Sequence, residues 1–285
     1  MQYTSAILVM AFAATNVLAH GLVTEIQGAN GVKMPALSVA DGTPRDCPSP
    51  GCGSEADTSI IRPNELGTNR ATALGRTSTG PVDASKMISM FMGGNANSTS
   101  AKAAREIHAA NMARRSLVVR AADGGAKTPK GTSETGVKAA EGAGATSGMP
   151  TCADDGTVDM TFHQVNQDGA GPLKAMVDST SGGTDPAAFK MAQVTKNVPG
   201  IGIGGLSAAQ TTDFQVKVQM PAGMTCSGSV GGASNVCIVK MMNDAIAGPF
   251  GGSAAFVQSA GAKKRAIEYN LSKRRFARAI AAGSA

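Results

Sequence analysis

Apolar and polar residues alternate with a period of two in several short stretches of the chain. In "TVDMTFHQV", Val158, Met160 and Phe162 fall on one side, while Thr157, Asp159, Thr161 and His163 fall on the other. "DFQVKVQM" repeats the pattern, with Phe214, Val216 and Val218 set against Gln215, Lys217 and Gln219. "VCIVKMM", Val236 to Met242, is mostly apolar and predicts a strand buried on both faces. "LVTEI", Leu22 to Ile26, predicts an earlier strand. Turn-forming stretches, "NQDGAGP", "PAG" and "GGAS", separate these runs. The pattern predicts a mainly β protein built from antiparallel strands, most simply a β-sandwich.

Two further stretches carry a different pattern. Ala101 to Arg120 is rich in alanine and arginine and predicts a helix, and a tail helix with a thin apolar stripe is expected from about Ala262 to Ala281. Between them, Ala121 to Pro150 is rich in Gly, Ala, Thr and Lys and has almost no large apolar residue. It offers little surface to bury, so we expect residues 101–150 to form a low-complexity, flexible insertion outside the core.

At the amino terminus, residues 6–14 (AILVMAFAA) are continuously apolar, and Val17-Leu18-Ala19 has the small-x-small form a signal peptidase accepts. That run is too short to span a bilayer as a helix, and no later stretch is long and apolar enough. We therefore expect residues 1–19 to be a signal peptide, residues 20–261 to be the β-sandwich domain, and residues 262–285 to be a basic tail. Cleavage after Ala19 makes His20 the first residue of a secreted protein, with a free amine beside its imidazole.

Composition refines this picture. The chain has 36 glycines and no tryptophan, which suits short strands and many turns. Once the leader is removed, Tyr269 is the sole tyrosine. From Lys263 onward seven basic residues face a single Glu268, which accounts for the whole net charge of +6. Such a tail suits anionic lipid or polysaccharide, or is simply solvated. Nucleic acid is excluded as a partner, because no stacking aromatics are interleaved with the basic residues. Five cysteines leave one thiol over if the others pair. Cys47/Cys52 and Cys226/Cys237 could each close a local loop, and Cys152 would then remain. Two acceptor triplets, at Asn97 and Asn270, fit a secreted glycoprotein. The dibasic pairs Arg114-Arg115, Lys263-Lys264 and Arg274-Arg275 are either processing sites or solvated charge.

Three motifs exceed composition: "TFHQVNQDGAGP" (Thr161 to Pro172), "NVCIVKMMN" (Asn235 to Asn243) and "AGPFGGSAAFVQ" (Ala247 to Gln258). With a mature His-Gly start, their order is similar to that of fungal copper-dependent lytic polysaccharide monooxygenases, which implies an immunoglobulin-like sandwich. A resemblance covering most of the chain is to the appressorium-specific secreted virulence proteins of plant-pathogenic fungi, the powdery-mildew-homologue family. It rests on the His-Gly start, "DCPSPGCGSEADTSIIR" (Asp46 to Arg62), "HQVNQDGAGP" and "AGPFGG". It implies a role at the host surface during penetration. The molecular action we expect is binding of a plant-surface or fungal cell-wall polymer.

The alternative is oxidative chemistry at copper. The amine and imidazole of His20 with a second histidine would present three nitrogens, a donor set that suits copper(II). His163 is the preferred second ligand, since a strand holds a side chain more rigidly than the surroundings of His108. This sequence departs from the monooxygenase pattern in several places. It lacks cysteines near Ala175, Met241 and Ser253, and the usual second histidine lies elsewhere in that pattern. With no tyrosine to sit beyond the metal, Phe250 or Phe256 is left for that position. Other chemistries have thinner support. Asp154, Asp155, Asp159 and Asp168 read as turn caps before hydrolytic carboxylates. "GIGIGG" (Gly200 to Gly205) lacks the Lys-Ser/Thr of a phosphate loop and reads as a glycine hairpin. No Gly-x-Ser-x-Gly elbow is present.

Overall fold

The alternating stretches become strands with the expected faces. The structure, a computed structural model, describes residues 20–93, 124–202 and 205–283. The leader, His108 and the helix expected around it, Asn97 and Arg114-Arg115 lie outside the described residues.

The amino-terminal half contributes β1 (Gly21–Gln27), β2 (Lys33–Pro35), β3 (Ser59–Ile60), β4 (Arg76–Thr77), β5 (Gly80–Pro81) and helix α1 (Ala84–Gly93). Then come β6 (Ala126–Lys127), the short helices α2 (Gly136–Ala139) and α3 (Gly144–Ser147), β7 (Thr157–Gln164) and β8 (Lys174–Asp178). The rest is β9 (Phe189–Lys196), β10 (Thr212–Gln219), β11 (Gly228–Val230), β12 (Ala233–Met242), β13 (Phe250–Val257) and helix α4 (Ala260–Gly283).

Every ladder between these strands is antiparallel, in the order β2-β1-β7-β10-β9-β8-β12-β13-β3-β4-β5, with β6 on β10 and β11 on β12. β9 is shared between two layers. Its first half, from Phe189 to Ala192, pairs with β8, and its second half, from Gln193 to Lys196, pairs with β10. The sheet thereby folds over, and β13 lies against β1 across the core as in a sandwich. Val158, Met160, Phe162, Phe214, Val216 and Val218 all point inward and are buried. β12 is buried from Val236 to Met241, as its mostly apolar run predicts, and α1 covers part of it. Both local cysteine pairs are disulfide-bonded, Cys47–Cys52 and Cys226–Cys237, and Cys152 is a buried free thiol.

One expectation is corrected. Residues 124–150, read as part of a flexible insertion, are built into the domain. Arg45 is fully buried and bonds to Asp57 through two pairs, Nη1–Oδ1 at 2.9 Å and Nη2–Oδ2 at 2.6 Å. Its Nε donates to Glu134 Oε2 at 3.1 Å, so it joins this segment to the body. Burial alone would lower the Arg45 pKa, but the charges of Asp57 and Glu134 hold it above its ordinary value. The Asp41 carboxylate accepts from Val137 N and Lys138 N at the start of α2, α3 packs on α1, and Met149 enters the core. Composition misled because the segment is held by polar anchors supplied from elsewhere in the chain, not by apolar surface of its own. The tail is a helix, as expected, and α4 is docked by Ala262 and Ala266, both buried.

Candidate functional site

The quoted motifs meet at one end of the β1–β7 pair. Leu22 lies opposite His163, Gly21 opposite Gln164, and Val165 N donates to the His20 carbonyl at 3.0 Å. The chain then turns back through "NQDGAGP", which packs on the start of β1. A side chain on Gly21 would come within 2.6–2.7 Å of the Gly169 carbonyl oxygen and the Phe162 ring, and one on Gly169 would run into the His20 carbonyl. The glycine that follows His20 therefore has a steric cause: two backbones approach too closely for a Cβ.

His20 is 7% exposed and closes a polar ring with two other residues. Its N–H donates to Asn166 Oδ1 at 2.7 Å, and Asn166 Nδ2 donates to Glu55 Oε1 at 3.0 Å. Glu55 Oε2 lies 3.3 Å from His20 Nδ1. Phe250 stacks obliquely on the imidazole, with 4.2 Å between ring centroids. Of the two phenylalanines named from sequence, Phe250 is the one at His20. Asn243, which ends the "NVCIVKMMN" motif, positions it. Asn243 Oδ1 accepts from Phe250 N at 3.0 Å, and its Nδ2 donates to the Asp168 carbonyl at 3.4 Å. Arg62 donates to the carbonyls of Ala247 and Gly248, tying "AGPFGG" to the segment that carries Glu55. Burial, and secondarily the charge of Asp168, pushes the Glu55 carboxyl up to about 7. Burial raises Asp168 as well.

His163 is completely buried at the same end of the strand pair. Its Nδ1 lies 2.7 Å from Asp213 Oδ1, and its Nε2 has no hydrogen-bond partner among the described residues. The ladder sets His20 and His163 at neighbouring diagonal positions, but the rings take different partners, Glu55 and Phe250 for one and Asp213 for the other. Among the described residues no three His, Cys, Asp or Glu side chains are gathered as a metal site. A buried Nε2 without a partner among the described residues, with Nδ1 held by a carboxylate, is how a ligating histidine is oriented, whereas His20 Nδ1 faces Glu55. Asp155 accepts from Thr157 N as a turn cap, and Asp159 pairs with Lys217 at 3.1 Å. Asn166, Glu55 and Asp213 were not singled out from sequence. Asn166 and Glu55 do lie inside quoted motifs, whereas Asp213 opens a strand with nothing to mark it.

Beyond Leu22 and His163, the outer face of this layer carries polar rows in register. Glu25, Thr161 and Gln215 lie directly opposite one another on three adjacent strands. In the next row Lys33, Gln27, Asp159, Lys217 and Lys196 do the same across five. Gln27 Nε2 and Gln215 Nε2 both donate to Thr161 Oγ1, at 3.2 and 3.1 Å. The result is a pre-ordered lattice of amide, carboxylate and ammonium groups, with Gln215, Lys217, Lys196 and Lys33 exposed.

The chain is a β-sandwich with these motifs at one end, and comparison with known proteins gives it a family. Residues 18–251 match the model of the Egh16-like virulence factor family, and the chain belongs to that family. It is 69% identical over 283 residues to the appressoria-specific virulence factor GAS2 of Pyricularia oryzae, covering 99% of this chain and 98% of that protein. It is also 39% identical over 107 residues to the appressoria-specific virulence factor GAS1 of the same fungus, covering 38% of this chain and 41% of that one. No solved structure matches.

Proposed function

We propose that this protein is a secreted virulence factor of the appressorium that binds a polymer of the plant surface or fungal wall. The outer face of β2-β1-β7-β10 is the binding surface. The observation that carries this reading is the pair of in-register polar rows, Glu25–Thr161–Gln215 and Lys33–Gln27–Asp159–Lys217–Lys196. Adjacent strands are about 4.8 Å apart, and rows on one face about 6.8 Å apart, so the groups form a flat grid rather than a pocket. A flat grid suits an extended chain. Amides, carboxylates and ammonium groups together donate to and accept from sugar hydroxyls. The cross-links on Thr161 hold the glutamine side chains before a ligand arrives, which reduces the ordering cost of binding. Export is supported by the leader and by two disulfides, which persist in oxidising compartments. The family relatives' description as appressoria-specific virulence factors supports the setting. Co-sedimentation of the processed protein with insoluble cellulose, chitin and β-glucan tests the reading. Retention on at least one is expected, and recovery in the supernatant with all three contradicts it.

A second reading is favoured by one observation, the buried Nε2 of His163 without a partner among the described residues. The amine and Nδ1 of His20 and Nε2 of His163 would hold a copper(II) ion, with Asp213 orienting His163 and Phe250 covering the His20 ring. Bound copper would supply one-electron redox chemistry. The chain's own residues do the rest. Asn166 fixes the position of the His20 backbone nitrogen, Glu55 would release His20 Nδ1 to the ion, and burial limits access of water. Calorimetric copper titration separates the cases. The processed protein should bind one equivalent, while His163→Ala or a chain extended before His20 should bind at least about tenfold more weakly. Equal affinity in all three forms removes copper from the account.

A further inference from the structure

Helix α4 has one half on the protein and one half off it. Ala262 and Ala266 are buried, and Asn270 Nδ2 donates to the Gly223 carbonyl at 2.9 Å, so the first turns are docked. Every residue from Ile267 to Arg278 is exposed. At about 1.5 Å per residue, the segment from Lys273 to Gly283 spans about 16 Å. The docked stripe continues along it at helical spacing. Ala262, Ala266 and Tyr269 are followed by Lys273, Phe276 and Ile280, each three or four residues on. Phe276 is 70% exposed and Ile280 57% exposed, large apolar side chains facing solvent on a helix otherwise rich in charge. At about 100° per residue, Lys273 lies on the same side of the helix as this pair, and Arg274, Arg275 and Arg278 lie round the remaining, polar side. No acidic residue follows Glu268.

Neither property is explained by the fold. The apolar pair is mostly exposed, and the basic cluster has no acidic counterpart in its own half of the helix. An apolar stripe on one side with lysine and arginine on the polar side is the pattern of a helix that lies in the boundary between lipid headgroups and acyl chains. There the guanidinium groups take phosphate oxygens and the apolar side chains enter below them. No described helix is long and apolar enough to cross a membrane, so attachment would be lateral and reversible.

We propose that the distal half of α4 is a docking site for an anionic lipid surface, with Phe276 and Ile280 inserted and Arg274, Arg275 and Arg278 on headgroup phosphates. The proposal does not rest on the polymer-binding reading, and either can fail without the other. The test is sedimentation of the full processed chain with sucrose-loaded vesicles. One set is phosphatidylcholine alone, and the other is phosphatidylcholine mixed with phosphatidylserine. Binding is expected to the anionic vesicles and not to the neutral ones, and to fall as salt is raised. Phe276→Ser with Ile280→Ser keeps every charge, and Arg274→Gln with Arg275→Gln and Arg278→Gln keeps the apolar pair. Each combination should lower partitioning at least about tenfold. All five positions are exposed, and circular dichroism will verify that both variants keep the helix. Unchanged binding in either variant, equal binding to neutral vesicles, or no binding by the wild-type chain overturns the proposal. Binding to a polyanionic polysaccharide without binding to the vesicles also overturns it.

Discussion

Arg45→Leu removes the cation that holds two parts of the chain together. In the folded protein Asp57 and Glu134 would then face each other in a dry site, with no positive charge between them. Removing one partner of a buried ion pair costs about 3–5 kcal/mol, because the remaining charge is stranded. Domains of this kind are stable by about 5–15 kcal/mol, so the loss is a large fraction of the whole. With a urea slope of about 3 kcal/mol per M, the midpoint should fall by about 1–2 M with both disulfides intact. Glu134→Gln is the milder change. It leaves the bidentate Asp57 pair in place and should cost about 1.5–3 kcal/mol, the worth of a hydrogen bond to a charged group. In both variants the bond to residues 131–138 weakens, so limited proteolysis should reach residues 124–150 sooner than in the wild-type chain. A midpoint shift below about 0.3 M for Arg45→Leu would refute the claim that this segment is integral to the domain, as would proteolytic removal of it without loss of stability.

Gly21→Ala places a methyl group against Phe162 and the Gly169 carbonyl, and overpacking of this kind should cost about 1–3 kcal/mol, read from denaturant unfolding. Lys240 is buried, donates to the Ala73 carbonyl at 2.8 Å and sits 4.0 Å from the Phe189 ring centroid; burial, partly offset by Asp178, lowers its pKa from 10.5 to about 8. Below pH 8 both folded and unfolded chains carry the proton, and the folded state bears the full cost of a buried charge. Between about 8 and 10.5 the unfolded chain binds more protons, so stability should rise with pH by up to about 3 kcal/mol from this group. The difference between wild type and Lys240→Met across that window isolates the contribution, and a flat difference would show that Lys240 is not perturbed. Intact mass measurement of the exported protein should find His20 at the amino terminus. A chain still starting at Met1 would remove the free amine from the site.

How much of this was legible in the sequence depends on whether the cause was local. Period-two alternation is a local signal, and it placed the faces of β7 and β10 residue by residue. The mostly apolar run of β12 likewise announced burial on both sides. Disulfides closing short loops were legible for the same reason. The packing of residues 124–150 was not, because its anchors, Arg45 and Asp41, lie some 90 residues away along the chain. The site was half legible. His20 and His163 were marked by their positions in motifs, and Phe250 by the lack of a tyrosine between residues 20 and 261. Asp213 reaches His163 only through strand pairing across 50 residues, and the Glu55–Asn166–His20 ring needs three separate segments to meet. Register, likewise, turns scattered glutamines and lysines into rows.

The claim that this outer face recognises a polymer is tested most directly by a binding isotherm on whichever insoluble polysaccharide retains the processed protein. The comparison is between wild type, the combined variant Gln27→Ala, Gln215→Ala and Lys217→Ala, and a control, Lys86→Ala, on exposed α1. Thermal unfolding should match closely among the three, since the altered side chains bury little. The face variant should bind at least about tenfold more weakly, equivalent to about 1.4 kcal/mol, and the control should match wild type. Equal affinity of the face variant and wild type would contradict the account, whatever polymer is used.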